Sequence, residues 1–250
     1  MPKSIIFYCA VVTFFVYSAG INAAMVFSSS EKRISLLEFY TSEGCSSCPP
    51  ADRWFSKLKK DNRLWKELIP VAFHVDYWNY IGWDDRFSSR KYSERQRNYA
   101  RSKNLKTVYT PGFLLNGNEW RSFFGLRIIP TSNEKVGTLT LNLDSDMIDA
   151  EYVPLNSNNV TYELNIALLG FDLHTDVKAG ENKGKQLNHD FVVLGYKTVL
   201  MKMNEGGYVV TSKLPETSIT APRSGIVAWV SEVNDQTPIQ VVGGWVDKQE

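Results

Sequence analysis

Apolar and polar positions change rhythm part-way along this 250-residue chain. Residues 34–40 form a nearly unbroken apolar run and read as a buried strand. Trp54, Phe55 and Leu58, then Leu64, Trp65 and Leu68, return at helical spacing, so a strand, a turn and a helix make the first unit. Pro70 closes that pattern, and residues 71–76 read as a second strand. An aromatic loop holding Tyr77, Trp78, Tyr80, Trp83 and Phe87 follows, then an Arg- and Lys-rich helix over about 91–103. Residues 108–115 are apolar again, and Asn116-Gly117 is a tight-turn signal leading into Glu119-Trp120-Arg121. A hairpin therefore closes the first half, and strands alternating with helices predict an α/β layer around a mixed sheet.

Past residue 130 the helical signal nearly vanishes. Segments 136–143, 148–153, 160–169, 191–203, 208–211, 226–233 and 239–245 all read as strands. Breaks such as Asp144-Ser145-Asp146, Glu205-Gly206-Gly207 and Pro222-Arg223-Ser224-Gly225 separate them at spacings typical of an antiparallel sandwich. The expected organisation is an α/β domain over 25–130 followed by an antiparallel β-sandwich-like domain over 131–250.

Residues 1–24 have a different character. Lys3, an apolar stretch over 5–17 and small residues ending in Asn22-Ala23-Ala24 make the three-part pattern of a secretory signal, with cleavage after Ala23 or Ala24. That predicts a periplasmic or secreted protein. Cys9 leaves with the signal, and Ile6-Phe7-Tyr8 lacks the small residues a lipid-anchor site needs. No other segment approaches roughly 18 uninterrupted apolar residues, so stable membrane insertion is not expected once the signal is gone. Asn159-Val160-Thr161 is a glycosylation sequon if the host glycosylates.

Charge narrows the partners. Without Lys3, Lys+Arg falls from 28 to 27, equal to the 27 acidic residues. A neutral chain without a Lys/Arg cluster argues against nucleic acid or an anionic membrane surface as ligand. About 225 residues bury a sizeable core without a covalent staple, so a disulfide is not needed for folding.

Cys45 and Cys48 are the cysteines that remain after signal removal. They lie in Thr41-Ser42-Glu43-Gly44-Cys45-Ser46-Ser47-Cys48-Pro49-Pro50, directly after the first strand. A C-x-x-C between strand and helix brings two sulfurs within bonding distance at a helix N-terminus, where backbone N–H groups and the helix dipole favour thiolate. Cys45 comes first and is read as the attacking thiol, with Cys48 resolving a mixed disulfide. A static disulfide clipping the turn of an exported protein is the alternative. Pro49 and Pro50 belong in a first helical turn, so the helix starts near Pro49 and its dipole acts more on Cys48.

The strand, Cys45-Ser46-Ser47-Cys48, Thr110-Pro111 and the hairpin with its Asn116-Gly117 turn together resemble the thioredoxin fold. That resemblance implies a cis proline beside the cysteine pair, with Thr110 and Pro111 lining the edge that binds an extended partner. More closely, residues 36–52 with His74-Val75-Asp76-Tyr77-Trp78, Gly82-Trp83, Arg95-Gln96-Arg97, Tyr99-Ala100, Gly180-Glu181-Asn182-Lys183-Gly184, Leu187, His189 and Val192-Val193 look like an uncharacterised family of secreted bacterial proteins. That family carries a thioredoxin-like domain of unknown function with a CSSC motif, and it has no agreed activity.

Three further groups are candidates. Glu38 alternates onto the face of Leu36 and Tyr40. The thioredoxin resemblance implies proton transfer with the buried cysteine, for which desolvation raises a carboxyl pKa; bonding to a Tyr, Trp or Arg is the other reading. His74 and Asp76 share one strand face, and Cys45, Cys48 and His74 would suit Cu(I), while a satisfied structural histidine is the plainer account. Trp78 and Trp83, in the aromatic loop, are candidate partner-binding residues or a seam between domains. His174 and His189 lack metal-site spacing, and no P-loop, G-x-S-x-G, H-E-x-x-H or dinucleotide fingerprint is present.

The expected function is thiol–disulfide exchange through Cys45 and Cys48 with protein or small-molecule thiols and disulfides, needing no cofactor. A Cu(I) module and a non-catalytic binding protein with a structural disulfide are the alternatives.

Overall fold

The computed structural model describes residues 24–102, 104–125, 128–156 and 160–246. The expected signal segment, apart from Ala24, and Asn159 of the sequon lie outside the described residues. In chain order come β1 (Met25–Ser28), β2 (Ser35–Thr41), α1 (Pro49–Ser56), β3 (Leu68–His74), α2 (Arg90–Arg101), β4 (Gly112–Leu115) and β5 (Asn118–Glu119). Strands β6 (Thr138–Asp144), β7 (Met147–Val153), β8 (Tyr162–Phe171), β9 (Leu173–Asp176) and β10 (Gln186–His189) follow. The last are β11 (Val192–Leu200), β12 (Lys202–Met203), β13 (Tyr208–Lys213), β14 (Arg223–Glu232) and β15 (Asp235–Trp245).

One sheet organises the molecule. Its eight strands run in the order β15-β14-β8-β11-β3-β2-β4-β5, drawn from both sides of residue 130. β3 pairs in parallel with β2 on one side and with β11, at Ala72 and Val192, on the other. Every residue of β2 and β3 is buried, as expected of parallel strands in the middle of a sheet. A five-stranded sheet, β1-β6-β7-β13-β12, lies against one face, and β9 and β10 form a separate two-stranded ribbon.

Strand alternation divides the core between the two faces. On β14, Ile226, Ala228 and Val230 pack with Leu139, Leu141, Ile148 and Ala150 of the five-stranded sheet. Val227 and Trp229, pointing the other way, join the cluster of Phe39, Phe55, Phe113 and Phe191 beneath α1. Burial of that second face depends on aromatic contact, with Phe39 stacked on Phe113 at 4.6 Å and Phe191 edge-on to Phe55 at 5.5 Å.

The expected fold class, a thioredoxin-like α/β domain followed by an antiparallel β-sandwich-like domain, is overturned. The chain is mostly β, its α-helices among the described residues being α1 and α2, and no thioredoxin-like α/β arrangement is present. The downstream strands β8, β11, β14 and β15 do not stand apart as their own sandwich but extend the sheet that holds β2 and β3. The reason is physical: β3 needs a partner on its second edge, and β11 supplies it.

Local signals fared better. Pro49 and Pro50 occupy the first helical positions of α1, and Cys48 is its N-cap residue. Asn116 and Gly117 both take positive φ, 49° and 78°, as a two-residue hairpin turn of this kind requires. Pro70, expected to end a pattern, instead lies inside β3 opposite Leu37. The only β11 pairing of β3 is at Ala72, so at Pro70 a missing N–H leaves no second ladder short of a donor.

Candidate functional site

β2 delivers the chain into the turn over 42–48, and α1 carries it away. Cys45 and Cys48 are joined as a disulfide with Cα atoms 5.4 Å apart. The carbonyl of Cys48 accepts the first helical N–H groups, from Ala51 at 2.8 Å and Asp52 at 3.0 Å. Both cysteines are covered, at 1% and 0% exposure, whereas Ser46 and Ser47 between them face solvent. Ser47 Oγ lies 3.3 Å from Cys45 Sγ, in reach to donate a hydrogen bond to that sulfur.

The turn is held from outside by a loop between β9 and β10. Asn182, itself fully buried, donates through Nδ2 to the carbonyls of Glu43 at 2.8 Å and Cys45 at 3.0 Å. Glu181 Oε2 accepts from the Ser46 N–H at 3.1 Å. Trp78 crowds Gly44: a Cβ there would lie 3.0 Å from Trp78 Cβ, so only glycine fits without displacement. Trp78 Nε1 donates to Thr110 Oγ1 at 2.7 Å, and Trp83 Nε1 donates to Glu43 Oε2 at 2.8 Å. The Thr110–Pro111 peptide is cis, and Pro111 is buried just before β4 pairs with β2 at Gly112 and Tyr40. Trp78, Trp83 and Thr110 thus surround the cysteine turn, with Pro111 at the neighbouring strand entry.

Beneath the turn lies a buried ionisable cluster. His189, at the end of β10, has Nδ1 3.2 Å from Asp52 Oδ1 and Nε2 3.3 Å from Glu43 Oε1. The second contact has ion-pair distance without hydrogen-bond alignment, leaving both of its atoms without a hydrogen-bond partner. Burial pulls the His189 pKa down, but the close carboxylates of Asp52 and Glu43 outweigh it and hold the imidazole up at about 10. His74, at the end of β3, places Nδ1 2.7 Å from Asp85 Oδ2. Burial pushes the Asp85 carboxyl up, yet the charge and hydrogen bond of His74 prevail and hold it below the usual carboxylate range. Thr41 Oγ1 donates to Asp52 Oδ2 at 3.0 Å, completing the inner wall.

Glu38 stands elsewhere. Its carboxylate accepts from Arg95 Nε at 2.8 Å and Nη2 at 2.9 Å, from Tyr40 at 2.8 Å and from Tyr99 at 2.6 Å. These partners come from β2 and α2, and none belongs to the cysteine turn. Asp76 leaves the strand face it was expected to share with His74 and accepts instead from Ser93 Oγ. Among the described residues, His74 has Asp52, Asp85, His189 and the Phe87 ring for company rather than the two cysteines. The cluster of Glu43, Asp52 and His189 was invisible to spacing rules, because its members meet only when α1, the cysteine turn and β10 come together. A cavity of about 1010 Å³, lined among others by Arg95, Asn98, Asn165 and Tyr196, contains neither cysteine.

A β-rich chain with a disulfide at a helix N-terminus above a buried histidine–carboxylate cluster is the class that fold and site define. The chain belongs to the family described as protein of unknown function (DUF1223), which matches residues 36–231. None of the curated proteins matches it. A crystal structure of an Agrobacterium tumefaciens protein is similar at 22% identity and a TM-score of 0.60, covering 88% of this chain and 98% of that one. HBP35 of Porphyromonas gingivalis is similar at 15% identity and a TM-score of 0.61, covering 89% of this chain and 78% of that one. At these identities the likeness is one of fold.

Proposed function

We propose that the protein carries out thiol–disulfide exchange through Cys45 and Cys48 in an exported compartment, with protein or small-molecule thiols and disulfides as partners. One observation carries this reading: the disulfide closes the turn at the N-terminus of α1, with Cys48 as the N-cap residue. A partner thiolate attacks Cys45 Sγ, the Cys45–partner bond forms and the Cys45–Cys48 bond breaks. Cys48 leaves as a thiolate where helix N–H groups and the dipole favour negative charge. A second partner thiolate attacks the partner's sulfur of the mixed disulfide and releases Cys45. The partner is then oxidised to a disulfide and the pair reduced to two thiols; the reverse sequence oxidises the pair.

Ser47 Oγ, 3.3 Å from Cys45 Sγ, supplies a donor for the thiolate of Cys45. Thr110, Pro111, Trp78 and Trp83 line the partner's approach. Glutathione titration of the protein without its signal segment, with trapping of free thiols, tests the reading. A reduction potential between about −120 and −230 mV supports exchange, and one below about −300 mV makes the disulfide a structural clip.

A further inference from the structure

We infer that Asp52, His74 and His189 form a binding site for a first-row divalent metal ion, with Asp85 and Glu43 as outer-shell partners. Ligand atoms of the three residues lie within 4.8 Å of one another, and all three side chains are buried. Two imidazoles and one carboxylate are the donor set that Zn²⁺, Fe²⁺ and Co²⁺ take, and they come from α1, β3 and β10.

Two features separate this cluster from an ordinary buried ion pair. The first is an orphan: His74 Nε2 is fully buried and has no hydrogen-bond partner. A buried polar nitrogen left unsatisfied is costly, and an ion beside it would remove that cost. The second is the arrangement at the other ring nitrogens. His74 turns Nδ1 to Asp85 at 2.7 Å, while His189 turns Nε2 to Glu43 at 3.3 Å. The His74 bond to Asp85 leaves Nε2 for an ion, the pattern by which proteins fix the tautomer and orientation of a ligating imidazole, while His189 faces Asp52 with Nδ1 and stands at ion-pair distance from Glu43.

Charge and walls agree with this. Three carboxylates, Glu43, Asp52 and Asp85, face the two imidazoles, and an ion that binds takes the place of the proton His189 otherwise holds. Phe87 packs its ring edge-on to His74 at 5.2 Å and to His189 at 5.6 Å, giving the cluster an apolar side. Metal–nitrogen bonds of about 2.0–2.1 Å bring tetrahedral donors to roughly 3.4 Å apart, so binding draws the widest-set pair inward. The cysteines take no part. Asp52 nevertheless lies one helical turn after Cys48, so the ion would clip α1, and with it the disulfide's helix, to β3 and β10. This site does not depend on the exchange reading.

The test is a Co²⁺ titration of chelator-stripped protein, read by visible absorption and by elemental mass spectrometry, with Zn²⁺ as competitor. The expected result is one equivalent per chain, displaced by Zn²⁺, with a rise in melting temperature and no thiolate charge-transfer band. A Cys45→Ser/Cys48→Ser double variant binds as the parent does. His74→Gln and His189→Gln abolish stoichiometric uptake, and Asp85→Asn weakens it by about 10–100-fold. Failure of the parent protein to take up one equivalent at micromolar Co²⁺ or Zn²⁺ overturns the inference, and so does loss of uptake in the cysteine double variant. Those two measurements decide the matter even if a histidine variant does not fold.

Discussion

Asn182 donates to the main-chain carbonyl of Cys45 at 3.0 Å, so a residue 137 positions downstream holds the cysteine turn in place. With its companion bond to Glu43, this amide satisfies two carbonyls that have little access to water. Asn182→Ala removes both donors. The expected cost is about 1–3 kcal/mol for each carbonyl left unpaired, discounted where water reaches it. The variant should melt lower, and its disulfide should be reduced faster by dithiothreitol. A variant with parental melting temperature and reduction rate would show that the loop does not brace the turn.

Exchange through this pair predicts an asymmetry between the cysteines. Cys48→Ser leaves Cys45 to form a mixed disulfide with nothing to resolve it, whereas Cys45→Ser leaves only Cys48, the N-cap residue of α1. More trapped partner is expected from the first variant, counted on non-reducing gels after thiol blocking. Equal, negligible trapping by both would speak for the structural clip.

Arg95 and Glu38 form a buried bidentate pair, at 3% and 0% side-chain exposure, with Tyr40 and Tyr99 filling further acceptor positions on the carboxylate. Arg95→Met alone strands a buried charge and is expected to cost about 3–5 kcal/mol. Glu38→Leu combined with Arg95→Met should cost less than the two single changes added together, because neither charge is then left alone. Urea denaturation of the three variants measures this. Strict additivity would remove the coupling inferred from the geometry.

Acid should weaken the segment between α1 and β3. Arg63 donates from Nη2 and Nε to Asp61 at 2.7 and 3.0 Å, and from Nη1 to the carbonyl of Ile129 at 2.9 Å. The Arg63 hydrogen bonds hold the Asp61 carboxyl below its usual range despite partial burial. A carboxyl pKa lowered on folding stabilises the folded state above the unfolded pKa, about 4, and that contribution is lost as pH falls through the folded value. Asp61→Asn should therefore flatten part of the fall in urea midpoint between about pH 5 and pH 2. An unchanged acid limb would show that the pair contributes nothing.

What the sequence disclosed follows the range of its signals. The β2 run, the Pro49-Pro50 helix start and the Asn116-Gly117 turn are written in adjacent residues, and all three appear where expected. Most downstream strands were legible too, since their apolar runs are bounded by Gly, Asp and Pro. Their partners were not. Nothing near residue 192 says that β11 lies parallel to β3, and that single pairing converts two expected layers into one sheet. The short β1 and the β9–β10 ribbon carry little apolar signal and were missed. The same limit hid the partners of His189: the resemblance includes the residue, but its meaning arises from Asp52 and Glu43, more than 130 residues away.

The clasp from Asn182 also has a direction in time. A ribosome releases the cysteine turn long before residue 182, and before β11 can take its place beside β3. During that interval the turn lacks its downstream clasp. Once the second half arrives, Asn182 and Glu181 lock the backbone of the turn from outside. A cysteine pair made early thus acquires its final setting late, when residues far downstream have folded against it.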